Sequence, residues 1–128
     1  MKKTILDTNV FIRFLIKDNL SQYEKAKAVF KRIEEEKEKG LVSILVVNEI
    51  VWILENYYEI ERENFIPPLI KIFLLKNMEM IEMSKKIIIE ILKMMKKSQI
   101  DFTDYYLFFM KDRGDIFSFD RDFNKIRV

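Results

Sequence analysis

Short apolar runs that end at an acid or a small polar residue alternate along the 128 residues with longer stretches of helical periodicity. That alternation constrains the fold more than any other feature. Residues 3–6 read as a first strand, closed by Asp7-Thr8-Asn9, which readily cap a helix over 10–17. Ser21 is expected to cap a second helix reaching Lys39, with Ala26, Val29, Phe30 and Ile33 on one face, a Glu35–Lys39 pair at i,i+4, and Gly40 as its stop. Residues 41–42 then form a short strand. Ser43 caps a helix to about Tyr58, whose apolar face carries Val46, Val47, Ile50, Val51 and Leu54. Pro67-Pro68 suit the first turn of a further helix to about Lys76. A strand over 78–82 and a Ser84-capped helix to Lys97 follow. Asp101 or Thr103 starts a helix ending near Gly114, residues 115–119 read as a strand, and 126–128 as a last edge strand. Strands joined through helices run parallel. The expected class is therefore α/β: one domain over 1–128, with a central parallel sheet of about five strands and helices on both faces.

Composition narrows the chemistry. The chain has no Cys, so it carries no disulfide framework, thiolate metal site or cysteine nucleophile. It has no His, which removes Ser-His-Asp catalysis and imidazole ligands. Any catalysis must then use carboxylates, hydroxyls, Lys, Arg or a bound ion, and carboxylates around a hard cation lead by elimination. A net charge of +2 by itself points to neither nucleic acid nor membrane. No apolar run approaches the roughly 18 residues of a membrane span. The first apolar residues meet Asp7 before a signal-peptide core forms, so a cytoplasmic, non-membrane location is expected.

In an open parallel sheet, sites form outside the carboxyl ends of the strands. Asp7 and Asp120 each directly follow an expected strand, and Asp104 lies in the first turn of its helix. Glu49 lies about two turns into its helix, but helical side chains lean toward the N-terminus and Glu is long enough to reach back. Four acids from distant parts of the chain can thus meet at one rim. Each also has an ordinary structural use. Asp7 can cap a helix, Asp101 stands at capping-box spacing, Glu49 can face solvent, and Asp120 and Asp122 suit a turn.

Taken together, DTNVFIRFL, NEIVWIL, DFTDYYLFF and FSFDRDF resemble the ordered motifs of the PIN domain family, over nearly the whole chain. The resemblance implies that Asp7, Glu49, Asp104 and Asp120 hold Mg²⁺ or Mn²⁺, as one or two ions, and cleave RNA to leave 5′-phosphate ends. Asp101 and Asp122 become neighbours that orient water or hold a second ion. Thr8 and Asn9 match the polar pair after the first acid, and Ser118 stands where Thr is common. Small single-domain members of this kind look like VapC-type toxins of toxin–antitoxin pairs, which implies a homodimer and an antitoxin that blocks the acidic groove. Arg13, Arg113 and Arg121 are the candidate phosphate contacts, each equally readable as a solvated charge. Tyr105-Tyr106 and Phe108-Phe109 depart from the family, being bulky where small residues usually follow the third acid, and this bears on substrate choice. Two other readings stand beside the nuclease. One is a non-catalytic or RNA-processing binding module whose acids only stabilise the fold. The other is a receiver-like phosphoacceptor, for which the first strand supplies only Asp7 where a pair is wanted. Eleven Phe and five Tyr exceed what one small core hides, so an exposed patch covered by another chain is expected.

Overall fold

A computed structural model describes residues 1–126. Three strands, β1 (Lys2–Ile5), β2 (Glu38–Val42) and β3 (Met78–Met80), form a parallel sheet in the order β1-β2-β3. Thr4 pairs with Gly40, and Gly40 with Met78. Between β1 and β2 run helices α1 (Thr8–Ile16) and α2 (Leu20–Glu34). Between β2 and β3 run α3 (Ile44–Trp52), a π-helical turn (Ile53–Tyr57) and α4 (Arg62–Phe73). Helices α5 (Lys85–Met95) and α6 (Phe102–Phe109) follow β3, and two 3₁₀ turns, Lys111–Arg113 and Arg121–Lys125, end the described chain.

The expected class holds as α/β with a parallel sheet, but the sheet has three strands among the described residues, not about five. Residues 115–119 pair with no strand: they are exposed, Phe117 at 87% and Phe119 at 95%. Strand propensity measures fit to a pleated, half-buried surface, and this segment meets none. Of the expected last strand, Ile126 is buried outside any strand and 127–128 lie outside the described residues. The expected helices on both faces are also corrected. A strand order that advances in one direction through right-handed crossovers puts the connecting helices on one side. That side buries Gly40, Val42, Met78 and Met80, while the other carries Ile5, Leu41 and Glu79 in register, with Ile5 73% exposed.

Local chemistry explains where the other boundaries fall. Asn19, and not Ser21, caps α2 by accepting from the Gln22 N–H at 3.0 Å. Helix α2 stops at Glu34, five residues short of Lys39, because Glu36 takes a left-handed conformation (φ 62°). There the Lys37 N–H returns to the Arg32 carbonyl and the Glu36 N–H to Ile33, which closes the helix without a glycine. Residues 38–40, expected in the helix, are therefore strand. Glu38 is buried against Arg32 (2.9 Å), and Lys39 pairs with Glu79 across the sheet (3.0 Å) in place of Glu35.

Ser43 and Ser84 cap α3 and α5 as expected, accepting from the N–H groups of Leu45 and Ile87. Helix α4 begins at Arg62, so Pro67 and Pro68 lie in its second turn and not its first. The carbonyls they leave unpaired belong to exposed Glu63 and Asn64, where water takes them. Phe65, Ile66 and Leu69 on the same helix are buried in the core and offset the cost. Much of the Phe content is absorbed here: Phe11, Phe14, Phe30 and Phe73 form one aromatic cluster with ring centroids 5.0–5.6 Å apart.

Candidate metal centre

Asp104 sits in the first turn of α6, whose N-cap is Asp101. The chain then leaves α6, passes through Gly114, and returns to the same place by two small turns. The Ser118 hydroxyl accepts from the Asp120 N–H at 2.9 Å, and the Asp120 carboxylate accepts from the Asp122 N–H at 2.9 Å, as N-cap of the 3₁₀ turn. These turns bring one carboxylate oxygen from each of Asp104, Asp120 and Asp122 within 4.8 Å of one another. Asp104 and Asp122 are half-buried and Asp120 is exposed. Burial raises the Asp104 carboxyl above its ordinary range, and the charges of Asp120, Asp101 and Asp122 push it further the same way. Lys125 stands 3.4 Å from Asp122 and partly neutralises the trio.

The remaining candidates lie outside this trio. Asp7 is exposed at the carboxyl end of β1 and caps α1 by accepting from the Thr8 N–H at 2.7 Å. Glu49 is exposed on α3. Neither belongs to the trio of carboxylates that close within 4.8 Å. Asp101 is exposed, caps α6 without a side-chain cap hydrogen bond, and lies 3.9 Å from the Arg62 guanidinium. Thr8 is buried, while Asn9 lines a groove between α1 and α2.

A model of the PIN domain family matches residues 4–128. The chain belongs to the PIN domain family. No curated protein and no solved structure gives a match. PIN domains are typically metal-dependent nucleases, and the trio gives this one a carboxylate cluster of the matching chemistry. The donors are all hard oxygens with no nitrogen or sulfur among them, a set suited to Mg²⁺ or Mn²⁺. Oxygens sharing one Mg²⁺ at about 2.1 Å stand at most about 4.2 Å apart, so small side-chain rotations close the trio.

In this PIN domain the arginines differ in availability. Arg13 is engaged with Asp18 at 2.9 Å, which also raises its pKa, whereas Arg113 is exposed in the first 3₁₀ turn and Arg121 is exposed in the second, between Asp120 and Asp122 in the chain. A cleft of about 460 Å³ adjoins Asp120 and is lined by Phe108, Lys111, Ile116, Phe123 and Asn124.

Sequence reasoning passed over two residues that position the site-bearing helices. Glu82 accepts from the Ile44 N–H (2.7 Å) and the Ser43 hydroxyl (2.6 Å), and so caps the helix of Glu49 from 38 residues away. Arg62 is buried below the start of α6. Both contacts are long-range, and no local pattern announces them.

Proposed function

We propose that this PIN domain is a divalent-metal-dependent endoribonuclease. The observation that carries the reading is the convergence of Asp104, Asp120 and Asp122 within 4.8 Å in a chain with no His or Cys. Asp104 and Asp120 act as ligands for one or two Mg²⁺ or Mn²⁺ ions, with Asp122 beside them, and Asp7 and Glu49 complete the set. A bound ion supplies a nucleophilic water at neutral pH and charge stabilisation on the phosphodiester. The chain's own part is to hold and orient. The Ser118 and Asp120 hydrogen bonds fix the returning loop, and the first turn of α6 carries Asp104. Exposed Arg113 and Arg121 attract the RNA backbone.

The toxin role of a VapC-like pair is the finer part of the proposal, and its setting is cytoplasmic. It is supported by exposed apolar side chains suited to a second copy or an antitoxin, among them Trp52, Tyr57, Phe117 and Phe119. No helix among the described residues is long and apolar enough to cross a membrane. Calorimetric titration of the protein with Mn²⁺ tests the reading. Binding in the wild type and its loss in Asp104→Asn is the expected result, and equal binding in both rejects this site.

A further inference from the structure

We infer that Arg62 is a positioning residue of the metal centre, whose guanidinium ties the helix bearing Glu49 to the start of the helix bearing Asp104. Arg62 is the first residue of α4 and only 7% exposed. Its Nε and Nη2 donate to the carboxylate of Glu55, which lies in the π-helical turn prolonging α3. Its Nη1 donates to three main-chain carbonyls: Met95 at 3.3 Å, Ser98 at 2.9 Å and Ile100 at 2.9 Å. Met95 is the last residue of α5, its carbonyl also accepting from the Ser98 N–H at 3.2 Å, and Ser98 lies in the loop that leads on to α6. Ile100 immediately precedes the N-cap of α6, and Asp104 follows one turn later.

Helix α6 has no side-chain cap hydrogen bond of its own. Its entry is fixed instead from outside, by Arg62 on Ile100 and by Tyr105, whose hydroxyl lies 2.6 Å from that of Ser98. One planar fork therefore sets the spacing between the α3 extension and the α6 start. Lysine cannot reproduce this, because an ammonium is a point charge without the fork geometry. This role deepens the nuclease reading and rests on Asp104 as a metal ligand. Partners hydrogen-bonded to the ligands themselves govern metal affinity by about one to two orders of magnitude, and Arg62, which acts through the main chain that leads into the helix of Asp104, is expected at the low end of that range.

The test compares Arg62→Lys, Arg62→Gln and Glu55→Gln with Leu69→Ala, a core change in the same helix. Mn²⁺ affinity is measured by calorimetry, and amide hydrogen exchange over residues 101–105 by mass spectrometry, at a temperature where circular dichroism shows each variant folded. The expected result is Mn²⁺ binding weakened about tenfold or more in the Arg62 variants, with faster exchange at 101–105. Leu69→Ala loses stability but keeps wild-type affinity. Should the Arg62 variants fail to fold, Glu55→Gln alone is expected to weaken Mn²⁺ binding in the same direction. Wild-type affinity in folded Arg62→Gln, or in Glu55→Gln where that variant stands alone, overturns the inference, as does an equal loss in Leu69→Ala. A wild-type protein that binds no Mn²⁺ rejects the nuclease reading and the role at the metal with it. The exchange data then judge the clamp separately: unchanged exchange in Arg62→Gln shows that Arg62 does not hold the start of α6.

Discussion

Replacing Asp120 by Asn is expected to stabilise the protein in EDTA while weakening its response to metal. Three carboxylates within 4.8 Å repel one another when no ion is bound. Each pair at that distance costs about 0.9 kcal/mol in water by Coulomb's law, and screening at physiological salt takes this to about half. Asp120 has two such neighbours, so removing its charge returns about 1 kcal/mol at pH 7. In a chain of this size that is roughly 3–5 °C in Tm. The substitution keeps the local fold, because an Asn side-chain oxygen can still accept from the Asp122 N–H. The pH dependence follows from Asp104, whose carboxyl is raised above its ordinary 3.8 by burial and by its acidic neighbours. A raised acid binds more protons folded than unfolded, so it lowers stability as pH rises from 3.8 through the folded pKa, and costs nothing below 3.8. The advantage of Asp120→Asn should therefore be full at pH 7 and shrink toward about pH 3.5, where Asp104 is protonated and no longer repels Asp120. Saturating Mn²⁺ should reverse the order, because only the intact trio gains the full binding stabilisation. Thermal unfolding with EDTA or Mn²⁺, at both pH values, reads all of this. A variant no more stable than wild type in EDTA at pH 7 would refute the reasoning.

Other consequences are stated more briefly. Glu82→Ala removes the carboxylate that accepts from Ile44 and Ser43 at the start of α3, and should cost about 1–2 kcal/mol in urea unfolding. Gly40→Ala would bring a Cβ to 2.8 Å from Ile33 Cδ1, 2.9 Å from Met78 Sδ and 3.1 Å from Leu6 Cδ1, so overpacking should cost about 1–3 kcal/mol despite the better strand residue. The Thr4 hydroxyl and Arg32 hold the buried Glu38 carboxyl below its ordinary 4.5. Its contribution is present above pH 4.5 and lost as pH falls through the folded value, so Glu38→Gln should cost about 1 kcal/mol at pH 7 and flatten the acid limb of the stability curve.

What could be read from the sequence was what is settled locally. Ser43, Ser84 and Asp7 cap the helices that follow them because a cap needs only its own next few N–H groups. The end of α2 is not legible locally, because a glutamate, not the nearby glycine, takes the left-handed position and a strand then looks like a charged helix end. Residues 115–119 have strand-like alternation, but pairing is a property of the partner, and β1 has none on that side among the described residues. The acids divide in the same way. Asp104 and Asp120 meet because the chain doubles back after α6, and Asp122 joins them through the Asp-Arg-Asp spacing of its turn. Asp7 and Glu49 ride on separate elements, and their distance from the trio is set by long-range packing that periodicity does not encode. Arg62 shows the limit most clearly. In the run Glu61-Arg62-Glu63 it reads as a surface charge, yet it is the guanidinium on which two helix ends and a loop converge.

The most direct test of the central claim is RNA cleavage by purified protein on a mixed structured RNA pool, with Mg²⁺, Mn²⁺ or EDTA, beside Asp104→Asn. Cleavage that requires the divalent ion and disappears in Asp104→Asn is the predicted result. Cleavage that persists equally in EDTA and in the variant, or a wild-type protein that binds Mn²⁺ and leaves every RNA intact, would contradict it.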